Sequence, residues 1–459
     1  MFSVMRLPLN CYAGLRQAKR RSGWSRSNPK TSRPASWVGY LDRRLRDDVL
    51  RFSSLEYHRP ISYKDLLPVA MKYDFDRPLD RRNTCSLKWD YCERVFGEPD
   101  VIPMWVADMD FPAPPPVVEA LTARAAHPAY GYAIVSESFW ASITNWLKTR
   151  HGWEVKREWL TRGPGVVPSL NFCVRALTRP GDGVVVQTPV YFPFFSAVEK
   201  NDRRLVRNSL RYESGRWTID FDDLARKLDD GARLLILCSP HNPVGRVWTR
   251  EELAEVGRLC RERDVLVASD EIHADIVFKP HVHVPFATLS PDLAERTVTC
   301  WAPSKAFNIP GLNTSFVIAT NRKLLDLYRL ESQRAGLELG NVFGLTALEA
   351  AYTHGAEWLD AAVAYIDGNL DLAEEFIRAR LPALDLVRPE GTFLVLVDCR
   401  RLGLDDKALE EFFLRRAKVY FSAGTAFGEE LRGFVRMNLA CPRATVQEAL
   451  ERIERALRR

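Results

Sequence analysis

Trp301-Ala302-Pro303-Ser304-Lys305-Ala306-Phe307-Asn308-Ile309-Pro310-Gly311 separates two apolar runs, Thr297-Val298-Thr299-Cys300-Trp301 and Thr314-Ser315-Phe316-Val317-Ile318-Ala319. Short apolar runs bounded by turn residues read as buried strands. The stretch therefore sets a lysine between two buried strands, beside a hydroxyl and a Pro/Gly turn. Lysine is almost never fully buried without a partner or a covalent task. A desolvated amine near other charges loses its proton and becomes a nucleophile toward carbonyls. Lys305 is thus a candidate for a Schiff base. A lone Ser-Lys pair is an ordinary surface pair, so the reading needs further ligands elsewhere in the chain.

Outward from this stretch, strands and helices alternate. Strand patterns fall at Gly183–Gln187, Arg233–Cys238 and Asp264–Ala268. Helical periods fall at Pro116–His127, Ser136–Arg150, Phe221–Leu228 and Thr249–Arg263, the last opened by Thr249 and Glu252 in capping-box spacing. Short apolar strands separated by helices predict a mainly parallel sheet covered by helices on both faces. After about Leu345 the texture changes. A long helix is predicted at Ala356–Leu381, and helices at Asp405–Arg416 and Thr445–Arg458. Strands at Phe393–Val397, Val419–Phe421 and Phe434–Asn438 complete a smaller α+β domain. The expected fold is α/β, with a large domain at 116–345, a small domain at 346–459 and a segment at 71–115 joining the small domain.

The 459 residues are 46% hydrophobic and 27% charged, an ordinary globular composition. No apolar run reaches the ~20 residues that span a bilayer. The nine cysteines are scattered without a CxxC pair, which reads as reduced thiols in a cytoplasmic-type compartment and not as a disulfide framework or metal site. The net charge of +6 is unevenly placed: residues 1–70 carry +9 and the remainder −3, so the body gives no reason to invoke nucleic acid. The basic head at 1–70 reads as an extension without a packed core. It fits a transit-type presequence, a basic tail, or a start codon placed upstream of Met71.

Four predicted strands end in polar clusters, and ligands of open parallel sheets gather beyond such carboxyl ends. The clusters are Gln187 to Phe194, Ser239 to Arg246, Ser269 to Asp275, and Ser304-Lys305. Asn242 in S-P-H-N-P-V-G-R, Asp270 in S-D-E-I-H, Lys305 in A-P-S-K and Arg436 in F-V-R-M-N occur in an order that resembles fold-type I pyridoxal phosphate enzymes, the aspartate aminotransferase superfamily. I-P-M-W-V-A-D-M-D-F, Y-G-Y, G-V-V-P-S, D-E-I-H-A-D and N-L-A-C-P-R are similar to the cystathionine β-lyase, or C–S lyase, branch of the MalY and PatB kind. The resemblance covers about Lys72 to Arg459.

The resemblance implies pyridoxal 5'-phosphate as cofactor and a role for each matching residue. Lys305 would carry the cofactor and act as the catalytic base. Asp270 would sustain a protonated ring nitrogen, with Glu271 as its neighbouring competitor. Asn242 and His273 would face the ring's phenolic oxygen, and Tyr191 would stack on the ring. Gly165, Val166 and Val167, at a helix start, would hold the phosphate with Ser304. Ala302 and Asn313 stand where many relatives carry Ser or Thr and Arg, which leaves part of the phosphate shell unassigned. Tyr132 resembles a residue that reaches the phosphate of a neighbouring subunit, implying a homodimer with shared sites. Arg436 would bind the substrate α-carboxylate, and Val106 and Ala107 would close over the substrate. The implied reaction is β-elimination of L-cystathionine or a related S-substituted L-cysteine. An aminotransferase needs the same lysine, aspartate and arginine and is the alternative. A DNA-binding regulator on this fold would carry a winged helix before it, and residues 1–70 show no paired amphipathic helices.

Overall fold

A computed structural model describes residues 73–98 and 100–458. The expected extension at 1–70 lies outside the described residues.

The centre is a seven-stranded sheet. Named by their first residues, its strands lie in the order Leu160, Ser315, Thr297, Leu266, Ala232, Gly183, Arg204. The five strands from Thr297 to Arg204 are parallel. The Ser315–Ile318 strand is antiparallel to both of its neighbours. The sheet is thus mainly parallel, as the alternating pattern predicts, with an antiparallel edge.

Strands Gly183–Thr188, Ala232–Cys238 and Thr297–Trp301 are almost wholly buried because helices cover both faces. Alternate residues serve alternate cores. Val184, Val186, Leu234 and Ile236 pack with helix Val166–Leu177 and with Leu325 and Tyr328. Val185, Leu235 and Leu237 pack on the other face with Leu253, Val256 and Leu259 of helix Arg250–Glu262. That helix starts with the expected capping box, Thr249 and Glu252 each bonding the other's backbone.

A second sheet of four strands is antiparallel, in the order Asp385–Val387, Leu394–Asp398, Phe434–Asn438, Ser422–Ala423. The helix Ala356–Arg380 packs beside its first strand through the large apolar cluster that also holds Phe307 and Trp358. The predicted Val419–Phe421 strand is divided in two. Val419 and Tyr420 pair in parallel with Ile102 and Pro103, whereas Ser422 and Ala423 join the four-stranded sheet.

Two further boundaries differ from expectation. The strand predicted at Asp264–Ala268 runs Leu266–Asp270, because Asp264 takes a left-handed turn at φ 52°. The helix predicted at Asp405–Arg416 is regular only over Asp406–Glu411 and continues as a wider π-turn over Phe412–Ala417.

Candidate active site

The site lies where the parallel strands end. The two-residue shift places Asp270 at the last position of its strand, paired with Cys238 on one side and Cys300 on the other. Its carboxylate is buried and accepts one hydrogen bond, from the Ile272 amide at 3.1 Å. No cation pairs with it among the described residues. Burial pushes the Asp270 carboxyl up to about 7; the Ile272 amide opposes this and the Glu271 carboxylate adds to it. Glu271, the competitor, is already engaged: it accepts from Ser269 Oγ and the Phe286 amide and shares a hydrogen bond with His283 Nε2. Of the two neighbouring carboxylates, Asp270 is the one with neither a histidine nor a cation against it among the described residues.

Lys305 follows the next strand, four residues past Trp301. Its Nζ donates to the Ala107 carbonyl at 2.7 Å. Burial first and the Arg436 cation second, opposed by the Asp108 and Asp270 carboxylates, bring the amine down to about 8. Such an amine is partly neutral near neutral pH and suits both carbonyl attack and proton abstraction.

Arg436 sits in the middle of strand Phe434–Asn438, opposite Leu396 and Ser422. Strand alternation puts Arg436 and Asn438 on one face. The guanidinium is buried with no carboxylate partner among the described residues. It donates to Asn242 Oδ1 at 3.0 Å, the Trp105 carbonyl at 2.9 Å and Ser422 Oγ at 3.3 Å, and it lies over the Phe427 ring at 4.5 Å. Its Nε has no partner. Burial lowers it to about 10, so it stays cationic at neutral pH and needs an anion. With its oxygen held by Arg436, Asn242 keeps its NH2 for another acceptor.

His273 is buried with Nδ1 unpartnered, its ring 6.2 Å from Phe393. Burial, with the nearby Lys305 and Arg436 charges, holds it neutral, well below the ordinary histidine range. Tyr191 is half-buried, and its amide donates to the Asn242 carbonyl.

Gly165, at φ 128°, ends the turn before helix Val166–Leu177. Its N–H donates to Ser315 Oγ at 3.0 Å. The Val166 and Val167 amides remain open at the helix start, where an anion is favoured. A Cβ on Gly163 would fall 2.4 Å from Ser315 Oγ and 2.5 Å from Ser169 Oγ, so only glycine fits there. Ser304 is buried, and its carbonyl accepts from the Ile309 amide. Tyr132 stands apart from this cluster, 96% exposed, beside Ile134 at 91%.

Sequence reasoning missed the residues that hold the Trp105–Phe111 segment. Arg81 forms ion pairs with Asp108 and Asp110 at 2.7 and 2.8 Å, and the buried Lys88 pairs with Asp110 at 2.7 Å. Asn308 and Asn438 bond its backbone from two sides. The one local signal was the acidic pair in D-M-D-F, which calls for cations when it follows an apolar run.

These observations fit pyridoxal phosphate: a half-buried amine, a buried carboxylate lacking a cation among the described residues, open amides at a helix start and unpartnered donors around them. The fold and this cluster define a fold-type I pyridoxal phosphate enzyme. Residues 99–453 match the family described as aminotransferase class I and II, and the chain belongs to it. Cystathionine β-lyase PatB of Bacillus subtilis is 45% identical over 385 residues, 84% of this chain and 100% of PatB. A pyridoxal phosphate-bound putative aminotransferase from Clostridium difficile has a TM-score of 0.82 at 41% identity, covering 84% of this chain and 100% of that one. A pyridoxal phosphate-bound C–S lyase from Staphylococcus hominis gives 0.78 at 34% identity, over 84% of this chain and 98% of that one. Among the described residues no helix is long and apolar enough to cross a membrane, and no group of three or more His, Cys, Asp and Glu residues could hold a metal ion.

Proposed function

We propose that the chain is a pyridoxal phosphate-dependent C–S β-lyase acting on L-cystathionine or a related S-substituted L-cysteine. The observation that supports an amino-acid substrate is the buried Arg436, without an acidic partner among the described residues, beside the Lys305 amine brought down to about 8. The 45% identity to PatB along that protein's whole length supports the lyase over the aminotransferase reading.

Lys305 would anchor the cofactor, Asp270 would face its ring nitrogen, and Asn242, His273 and Tyr191 would line its ring. Val166 and Val167 would hold its phosphate, with Gly165 shaping the turn and Ser304 beside it. Bound pyridoxal phosphate supplies an electron sink for negative charge left at the substrate Cα. Arg436 grips the α-carboxylate through the part of its fork not used by Asn242. This sets the Cα–H bond toward Lys305, whose neutral amine takes the proton. Asp270 holds compensating negative charge at the far end of the site. Val106 and Ala107 cover the substrate and exclude water. The Cβ–S bond then breaks with its electron pair leaving on sulfur, and the three-carbon fragment hydrolyses to pyruvate and ammonia.

The exposed Tyr132 and Ile134 support a homodimer in which Tyr132 reaches a second copy's phosphate site, and the reading places the enzyme in the cytoplasm. Pyruvate release from L-cystathionine without a 2-oxo acid tests the reaction. Turnover only when 2-oxoglutarate is supplied would favour the aminotransferase.

A further inference from the structure

The Met104–Phe111 segment lacks regular structure, yet nearly every carbonyl in it has a donor. On one side, the Asn438 amide donates to Met104 O, and Asn438 Nδ2 donates to Val106 O and Asp108 O at 2.6 and 2.7 Å. On the other side, Asn308 Nδ2 donates to Met109 O and Phe111 O at 2.9 and 2.8 Å, and Asn308 Oδ1 accepts from the Met109 amide at 2.9 Å. The strap bends at 106–108 and 110–111, and its Trp105 carbonyl accepts from Ser422 Oγ and Arg436. Between the Val106 and Asp108 carbonyls bonded by Asn438, Ala107 O accepts from the Lys305 amine at 2.7 Å.

We propose that Asn308 is a positioning residue: it locks the strap so that the Ala107 carbonyl holds the Lys305 amine whenever that amine is free of the cofactor. Lys305 and Asn308 lie three residues apart in one loop, and the carbonyls they bond, Ala107, Met109 and Phe111, follow one another closely in the strap. The two segments are therefore joined like adjacent teeth. An amine donating one N–H to a fixed carbonyl has its lone pair confined to the two remaining tetrahedral directions, which favours an aimed proton abstraction. Asn308 itself adopts φ 55°, a left-handed conformation that asparagine accepts more readily than most residues. The inference rests on the proposed role of Lys305 as the group that moves the Cα proton.

The test compares Asn308→Gly and Asn308→Asp in two measurements. Asn308→Gly keeps the left-handed backbone and removes three hydrogen bonds. Asn308→Asp keeps the acceptor for the Met109 amide and loses both donations. The first measurement is exchange of the Cα proton of L-alanine in D2O by the cofactor-loaded enzyme, followed by proton NMR. The second is amide hydrogen exchange of residues 104–111 in the cofactor-free protein. The expected result is a fall in maximal exchange rate on the order of 100-fold for Asn308→Gly, with a smaller fall for Asn308→Asp. KM stays within about two-fold, and the Met109 amide exchanges faster in Asn308→Gly. Maximal rates per loaded site equal to wild type in both variants would overturn the proposal, as would loss confined to thermal stability. Cα-proton exchange precedes both elimination and transamination. The test therefore holds for either reaction: a failure of the Lys305 reading shows as no exchange in the wild type, and a failure of this inference shows in the variants.

Discussion

Asn242 and Arg436 join the two sheets at the site: the amide oxygen at the end of the central strand Ala232–Cys238 accepts from a guanidinium on the four-stranded sheet at 3.0 Å. The contact holds the arginine fork and leaves the Asn242 NH2 to donate elsewhere. Arg436→Lys keeps the charge and loses the planar fork. kcat/KM for an amino-acid substrate should fall about 100-fold, mainly through KM, because the α-carboxylate loses its two-point contact. Steady-state kinetics across substrate concentration check this.

The same cation acts on Lys305. A positive neighbour disfavours the ammonium form, so removing it in Arg436→Gln should raise the Lys305 pKa from its value of about 8. Reductive methylation of the cofactor-free protein over a pH series, read on the peptide containing Lys305, should show a midpoint displaced to higher pH in the variant. An unchanged midpoint would contradict the electrostatic link.

Asp270 gives a stability signature in the cofactor-free protein. Its carboxyl titrates at about 7 when folded against 3.8 as the unperturbed value. Between these values the folded state binds the proton and the unfolded state does not. Stability is therefore highest below pH 4 for this group and declines as pH rises through about 7, by an amount on the order of a few kcal/mol. Asp270→Asn should flatten that decline in urea unfolding curves and should also abolish tight cofactor binding.

A further prediction concerns the seam near Gly245. Arg246 is buried and bonded to Glu252 and Glu390 at 2.8 and 2.9 Å, and Glu390 also accepts from the Val247 amide. Gly245 sits at φ 72°, where a Cβ would meet Pro389 at 2.4 Å. Arg246→Ala leaves two carboxylates without their shared partner and should cost roughly 3–5 kcal/mol in chemical denaturation.

Much of this arrangement was legible in the residues themselves. The periods of the parallel strands and the capping box at Thr249 are local properties, and the structure reproduces them within one or two positions. Asp264 misled the reading, because an apolar run gives no warning of a left-handed turn inside its first residues. The antiparallel edge strand Leu160–Gly163 was missed: it is four residues long, and its partner is Ser315–Ile318, far along the chain. The strap was illegible for the same reason. Asn308 and Met109 are 199 positions apart, and nothing near Asn308 announces that its side chain bridges two backbones. Ser315, which takes the Gly165 amide, was read only as part of a strand. The Arg436 and Asn438 pair could have been anticipated, since alternation in F-V-R-M-N sets both polar residues on one face.

Lys305 is the lysine proposed to carry the cofactor. Lys88 is more deeply buried than the half-buried Lys305, but its amine is paired with Asp110 at 2.7 Å and is not free to attack a carbonyl. Reducing the pyridoxal phosphate-loaded protein with borohydride and mapping its peptides by mass spectrometry should place the pyridoxyl label on Lys305 alone. A label on Lys88 or another lysine, or undiminished labelling of Lys305→Ala, would contradict it.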